Sequence, residues 1–219
     1  MNFLNLNKTV PYVRKKGIAG YFQLIFHNFF DLVLLNFLCL LTSLPILTFG
    51  ASYKALISVC NKYAEDENVY PVREYFYNFK KEFFKSSLYG IFFEVTFVII
   101  GFSSYFYLSI AKDSFIFYIF SLIGSVCLLI LIMMAGWFFP IFCKIQQDFK
   151  SLITNSFILT FYHLKNSFCY LLVVLVCIIL IFAFFPYSIP FVAIFPFVLT
   201  ALASSCATAE KINKVFKIK

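Results

Sequence analysis

The stretch FIFYIFSLIGSVCLLILIMMAGWFF, residues Phe115–Phe139, contains no charged side chain. At 1.5 Å per residue, a helix of this length exceeds the roughly 30 Å hydrocarbon thickness of a bilayer. A helix suits this environment because every backbone polar group then has a partner within the segment itself. The stretch therefore predicts a transmembrane helix and sets the expectation for the rest of the chain.

Four further apolar runs have the same character. They are Phe29–Phe49, with Asp31 near its start, Ser87–Ile110, with Glu94 inside it, Phe168–Phe185 and Tyr187–Ala209. The 219-residue chain is 62% hydrophobic and 13% charged, with a mean hydropathy of +0.90. A soluble domain is about half apolar and a quarter charged, so this composition excludes one. It predicts an all-α, polytopic membrane helix bundle that forms a single integral membrane domain over residues 1–219.

A shorter segment, Ala51–Ala64, follows the first run at once. Four basic residues precede residue 28, six lie between residues 50 and 86, and four follow residue 208. Basic loops favour the cytoplasmic side, so five spans would leave one terminal basic cluster outside. A return crossing by Ala51–Ala64 removes that conflict, and we predict six membrane segments rather than five, with both termini cytoplasmic.

This topology makes three local predictions. Residues 48–50 form an outer turn, with Pro45 bending the chain before it and Gly50 supplying a permissive backbone. Lys54 extends from the start of the return segment to the outer interface. The sparsely charged loops around Lys112 and at Pro186–Pro190 face outward.

Two segments are predicted to be amphipathic helices on the cytoplasmic side, Val72–Lys85 and Lys144–Phe168. The first carries Phe76, Phe79 and Phe83 on one face and Lys80 beside them. A one-sided apolar stripe is typical of a helix lying along a membrane or against a bundle. The two helices could dock a protein partner or could cover the end of this chain's own bundle.

The net charge of +8 comes from 18 basic and 10 acidic residues. Because the basic residues lie between apolar runs, they are expected to contact anionic lipid headgroups rather than nucleic acid. The seven cysteines show no C-x-x-C spacing and no metal-ligand pattern. No catalytic or nucleotide-binding motif is present. The sequence therefore predicts no enzyme activity, no metal and no cofactor.

Two polar residues lie inside apolar runs and form the candidate intramembrane site. Glu94 lies seven residues into its run, about 10 Å along a helix axis. An ionisable group at that position is costly and is a functional candidate, as a proton-coupling or substrate-contacting acid. The alternative is a structural hydrogen bond, for example to Asn36 of the first run, whose expected role is to join helices.

Residues 35–52, LNFLCLLTSLPILTFGAS, continue into Ala55-Leu56, an acidic Glu65-Asp66-Glu67 and a Phe76-x-x-Phe79-Lys80-x-x-Phe83 helix. This series resembles the YesL family of bacterial polytopic membrane proteins, and its motif residues include Leu44, Pro45, Gly50, Ala51 and Ser52. The resemblance implies a protein of the bacterial cytoplasmic membrane without an established biochemical activity. Members of that family are often encoded beside genes for carbohydrate uptake and degradation.

The functional expectation follows from the resemblance and from the missing catalytic constellations. We expect a non-enzymatic accessory component of a transport or envelope system, linked to carbohydrate uptake and contacting the lipid bilayer and a transport-system protein. The alternative is a transporter or permease in its own right, with Glu94 as its coupling acid.

Overall fold

A computed structural model describes residues 18–65, 69–110, 115–145, 147–184 and 195–216. Within these ranges the regular structure is helical and contains no strand. The helices are α1 (Ile18–His27), α2 (Phe29–Thr42), α3 (Phe49–Ala64), α4 (Pro71–Lys80), α5 (Phe83–Ile110), α6 (Phe115–Lys144), α7 (Phe149–Tyr162), α8 (Leu164–Ala183) and α9 (Pro196–Val215). The all-α fold predicted from the sequence is confirmed for this part of the chain.

Three described helices are long and apolar enough to cross a membrane: α5 with 28 residues, α6 with 30 and α8 with 20. Most of their apolar side chains point away from the rest of the protein, as expected for surfaces that contact lipid. The chain is therefore a membrane protein. A fourth span is obtained if α1 and α2, which meet at an angle of 82°, are counted as one broken span.

The α5 and α6 helices form an antiparallel hairpin whose interface is built from small residues. The Ser121 hydroxyl donates a hydrogen bond to the Ser104 backbone oxygen at 3.0 Å. Gly124 lies against the Ser104 side chain, so closely that a Cβ at residue 124 would overlap the hydroxyl. Small residues of this kind let membrane helices approach closely, and polar groups between them add hydrogen bonds.

The first predicted span, Phe29–Phe49, is shorter than expected. Helix α2 ends at Thr42, and a turn of 3-10 helix over Ile46–Thr48 leads directly into α3. The predicted turn at residues 48–50 therefore lies earlier, over residues 43–48, and Gly50 already belongs to α3. The turn is apolar and exposed, with Leu44, Ile46 and Leu47 exposed by 71%, 75% and 65%.

Helix α3 contains the segment Ala51–Ala64 and is buried along almost its whole length. It packs against α9 on one side and against α4, α5 and α6 on others. The core around it contains Trp137 and Phe138 of α6, both almost fully buried. Because α3 is covered by protein, it does not need the hydropathy of a lipid-exposed span, which explains its weak apolar signal.

Both predicted amphipathic segments are broken by turns. The predicted helix Val72–Lys85 divides into α4 and the start of α5 at Lys81 and Glu82, where Glu82 has a φ of 57°. The predicted helix Lys144–Phe168 divides into the end of α6, the separate helix α7 and the start of α8. A left-handed residue ends helical hydrogen bonding, so periodicity alone could not show where one helix stops and the next begins.

The last predicted span, Tyr187–Ala209, is described only from residue 195. Helix α9 begins with Pro196 in its first turn, where a proline needs no hydrogen-bond donor, and it continues to Val215. The predicted outer loops around Lys112 and at Pro186–Pro190, and the basic residues before residue 17, lie outside the described residues. The count of six membrane segments remains a prediction.

Candidate functional site

Glu94 lies on α5 and is half-buried. Among the described residues its carboxylate has no hydrogen-bond or ion-pair partner. Val98, Gly101 and Tyr105 follow it at intervals of four, seven and eleven residues, which places all four on one face of the helix. Val98 and Tyr105 are exposed, and a Cβ at Gly101 would meet no atom within 4 Å. The face that carries Glu94 is therefore not covered by the described part of this chain.

Asn36 lies in α2 and is fully buried. Its side-chain oxygen accepts a hydrogen bond from the backbone N–H of Val198 at 3.1 Å. Val198 lies in the first turn of α9, where backbone N–H groups have no partner within the helix. Asn36 therefore joins α2 to α9, as its expected structural role required. Its described hydrogen bond goes to α9 and not to Glu94.

The motif residues 44–52 include the exposed turn and the start of α3. Gly50 packs directly on Gly90 of α5, and a Cβ at Gly50 would lie 2.6 Å from the Gly90 Cα. Because the atoms in the way belong to the backbone, no side-chain rotation could make room. The sequence predicted that Gly50 is needed for the backbone conformation of a turn. In the structure a glycine is needed there because α3 and α5 approach closely. Ala51 and Ser52, next in the motif, are both fully buried.

The predicted docking helix uses much of its apolar face within the protein. Tyr75 is fully buried against α2 and α3, and the Thr42 and Tyr75 hydroxyls are 2.6 Å apart. Phe79 stacks on Tyr75 and contacts the Phe83 ring, with centroids 6.3 Å and 5.3 Å away. Phe76 and Lys80 remain exposed. Helix α4 therefore covers this chain's own bundle, which was the second of its two possible roles.

An ion pair between a buried lysine and a half-buried glutamate, not predicted from the sequence, joins α3 to the α4–α5 junction. Lys54 is only 3% exposed. Its Nζ lies 3.1 Å from Glu82 Oε2 and 2.9 Å from the Lys81 backbone oxygen. The prediction that Lys54 reaches an outer interface is therefore wrong. A lysine surrounded by protein needs its charge compensated locally, and the turn at Glu82 supplies that charge.

The sequence did contain a signal for this pair. Lys54 is the one charged residue in the stretch ASYKALISVC, where small side chains suggest contact with other helices rather than with lipid. A lysine in such a helix requires a nearby partner. The identity of that partner could not be read from the sequence, because Glu82 reaches Lys54 only through the break between α4 and α5.

A second polar cluster holds three helix ends together. Lys144, the last residue of α6, forms an ion pair with Glu65 at the end of α3, with an N–O distance of 2.5 Å. The Asn213 side chain of α9 accepts a hydrogen bond from Lys144 at 2.9 Å and donates one to Glu65 at 2.8 Å. The ends of α3, α6 and α9 therefore lie on one side of the molecule.

The described residues contain no group of three or more histidine, cysteine, aspartate or glutamate side chains that could hold a metal ion. None of the seven cysteines, all of which the structure describes, forms a disulfide. His163 lies between α7 and α8, and its ring stacks on Trp137 with centroids 5.5 Å apart. Burial, followed by the positive charge of Lys211, lowers the pKa of His163.

These features define a helical membrane protein whose packed centre is α3. Residues 32–104 match the family described as Protein of unknown function, DUF624. This match covers about a third of the chain and runs from α2 through most of α5, so it includes the stretch on which the sequence resemblance rests. The chain has no significant match among curated proteins and none among solved structures.

Proposed function

We propose that this chain is a YesL-type accessory protein of the bacterial cytoplasmic membrane that binds a membrane component of a transport or envelope system through the Glu94 face of α5. The observation that carries the proposal is the unpartnered carboxyl group on a face that the described chain leaves uncovered. The similarity to a family of unknown function supplies no activity of its own, so the proposal depends on this geometry.

The proposed orientation has both termini in the cytoplasm. The Tyr63 hydroxyl donates a hydrogen bond to Asp31 at 3.2 Å, so α2 begins where α3 ends. The same side of the molecule holds Lys144 and Asn213. Because this side carries the basic residues between positions 50 and 86, the preference of basic loops for the cytoplasm favours this orientation.

The partner is expected to present a hydrogen-bond donor within the bilayer. A carboxyl group that faces lipid without a partner is unfavourable whether it is charged or neutral. A donor side chain on a neighbouring helix would remove much of that cost. Gly101, two helical turns further along the same face, would let such a helix approach the α5 backbone closely.

Site-specific photo-crosslinking in intact cells would test this proposal. A benzophenone amino acid at Val98 or Tyr105 is expected to capture a discrete membrane protein, identified by mass spectrometry. The matched control is Leu122 of α6, which is also exposed but lies on a different helix. Equal capture from Leu122, or capture of lipid alone from all three positions, would contradict a specific docking face.

Glu94→Gln tests the role of the carboxyl group in the same assay. The amide keeps the size of the side chain but loses the charge and changes the hydrogen-bonding pattern, so crosslinking from Val98 should fall several-fold. Uptake of the carbohydrate handled by the captured system should fall in parallel, at an unchanged level of the protein. Full crosslinking with Glu94→Gln would remove this residue from the interface.

The unpartnered Glu94 also favours a second candidate, a proton-coupled transporter. In that case the purified protein alone would support flux in liposomes, and Glu94→Gln would abolish its dependence on a pH gradient. The two functions separate cleanly in this experiment, because an accessory protein produces no flux without its partner.

A further inference from the structure

We propose that a polar groove between α5 and α7 binds the phosphate of an anionic lipid headgroup. The groove has a volume of about 730 Å³ and lies between the start of α5 and the start of α7. Its walls are formed by polar and charged side chains from the two helices and from the turn before α7, namely Lys85, Gln147, Asp148, Lys150, Ser151, Thr154 and Asn155. The site is independent of the Glu94 face.

Two lysines supply the positive charge of the groove. In the part of the chain that the structure describes, neither Lys85 nor Lys150 forms a salt bridge with a carboxylate. The Lys85 ammonium group lies 5.9 Å from the centre of the Tyr89 ring and 5.8 Å from that of Phe142. Two ammonium groups without carboxylate partners at one cavity favour an anionic ligand.

The first turn of α7 adds donors to the same cavity. Asp148 precedes the helix without a capping hydrogen bond from its side chain, so the N–H groups that follow it remain available. The positive end of the helix dipole points in the same direction, and the Ser151 hydroxyl lies in this first turn. A hydrogen bond of 2.9 Å from the Asn155 amide to Gln147 fixes the turn against α7.

The groove lies at the depth of the lipid headgroups. Lys85 is followed by the exposed apolar residues Leu88 and Phe92, three and seven positions later on α5. Phe149 of α7 packs against Phe92 and Tyr89, with ring centroids 5.1 Å and 4.8 Å apart. The polar cavity therefore begins where the lipid-facing surface of α5 begins, so a headgroup phosphate reaches it while the acyl chains lie along α5.

Asp148 makes the groove selective among phosphates. Its exposed carboxylate lies at the cavity and opposes a second negative charge. A phosphodiester such as that of phosphatidylglycerol carries one negative charge, whereas inorganic phosphate carries up to two near neutral pH. The groove should therefore prefer a lipid phosphodiester to free phosphate, although both present the same oxygen atoms.

Native mass spectrometry of the full chain, released from detergent, tests the assignment. The probes are phosphatidylglycerol, phosphatidylcholine with the same acyl chains, and inorganic phosphate. We expect one phosphatidylglycerol to remain bound, and its affinity to fall about tenfold in the double variant Lys85→Gln/Lys150→Gln, since two solvent-exposed ion pairs with the phosphate are lost. The control Lys165→Gln/Lys214→Gln removes the same charge from exposed positions outside the groove and should retain the lipid.

Each other outcome overturns the proposal. Equal loss of lipid in both double variants would show attraction by net charge alone. Displacement of the lipid by equimolar inorganic phosphate would assign the groove to a soluble anion. Asp148→Asn supplies a second measurement, because removing its charge should narrow the preference for the lipid over phosphate, and an unchanged preference would contradict its role. Thermal unfolding of each variant in detergent should be unaltered, which shows that a loss of lipid comes from the groove and not from a folding defect.

Discussion

The α2–α3 and α5–α6 hairpins differ in what covers the surfaces of their helices. In α5–α6 two long helices meet through Ser104, Ser121 and Gly124, and their outer surfaces are left to lipid. In α2–α3 the second helix is wrapped by other helices, and the large exposed apolar side chains lie on α2 and at the turn, with none on α3. The α5–α6 hairpin depends on lipid for its environment, whereas helix α3 depends on the rest of the protein.

The comparison shows why mean hydropathy is a poor guide to how well a helix of these hairpins is buried. A helix in lipid must be apolar around its circumference, but a helix inside a bundle needs small residues and paired polar groups. Gly50, Lys54 and Asn61 all lie in α3, and each lowers its apolar character. Helix α3 is at least as well buried as any long span, and yet it has the weaker membrane signal.

The largest expected effect comes from the contact between the two hairpins. Gly90→Leu places a side chain where the Gly50 backbone lies, so α3 and α5 must separate. We expect the free energy of unfolding to fall by about 3 kcal/mol or more, the upper range for overpacked sites. Thermal unfolding in detergent would measure this. Gly101→Leu on the same helix meets no atom within 4 Å and should leave stability unchanged or slightly raised.

The next effect comes from the buried charge in α3. Lys54→Met leaves the Glu82 carboxylate without its partner, and since Glu82 retains some solvent access we expect a loss of about 3 kcal/mol, the lower range for a broken buried pair. Lys62→Met is the matched control. Its partner Glu74 is about as accessible to water, but Lys62 itself is far more exposed, so the loss should stay below about 1 kcal/mol.

A double variant separates the ion pair from the packing of Lys54. Lys54→Met/Glu82→Gln removes both charges, so its loss of stability should be smaller than the sum of the two single losses. Additive losses would mean that the two side chains stabilise the fold independently. The presence of a charged residue in the buried helix α3 could then not be explained by its pairing with Glu82.

The turn of the α2–α3 hairpin has a measurable depth. Gly50 faces Gly90, about 10 Å from the start of α5, a helix about 42 Å long. A spin label at Ile46 should therefore show the oxygen accessibility of a label at Val98, in the middle of α5, and not that of a label at Phe84 near its start. The background variant replaces the exposed Cys127 and Cys169 with serine. High water accessibility at Ile46 would show instead that the hairpin reaches the far side, as the prediction of an outer turn and six membrane segments requires.

The smallest effect concerns His163, outside the spanning segments. Burial lowers its pKa, so the folded protein favours the neutral ring and the unfolded chain binds the proton more readily. Stability should be fully present above the ordinary pKa of about 6.5 and should decrease as the pH falls through that value. Thermal unfolding between pH 7.5 and 5 measures the decrease, and it should be smaller in His163→Gln. An identical pH dependence in the variant would assign it to other groups.

The sequence predicted the features that depend on composition. The apolar runs at Ser87–Ile110 and Phe115–Phe139 correspond to α5 and α6, because lipid imposes apolar side chains over a full crossing. The helix over Ala51–Ala64 was found through charge placement, although its hydropathy argued against it. Asn36 was correctly expected to join helices, since a buried amide in an apolar run needs a partner.

What the sequence could not predict depends on contacts between distant residues. The Lys54–Glu82 pair needs the left-handed turn at Glu82. The sequence KEFF has neither glycine nor asparagine at that position, so nothing in it signals a left-handed residue. The Gly50–Gly90 contact requires knowledge that α3 and α5 cross at those positions. The groove beside Lys85 combines α5 with a turn more than sixty residues later, and periodicity within one helix carries no information about it.

The polar cluster at the ends of α3, α6 and α9 has a consequence for biosynthesis. Glu65 is translated 79 residues before Lys144 and 148 residues before Asn213. Helix α3, which bears Lys54, Asn61 and Lys62, leaves the ribosome well before its covering helix α9 is made. Until then the insertion machinery, or water at the membrane surface, must shield a segment unsuited to lipid. The packing of α3 is thus completed only after the much later helix α9 has been synthesised.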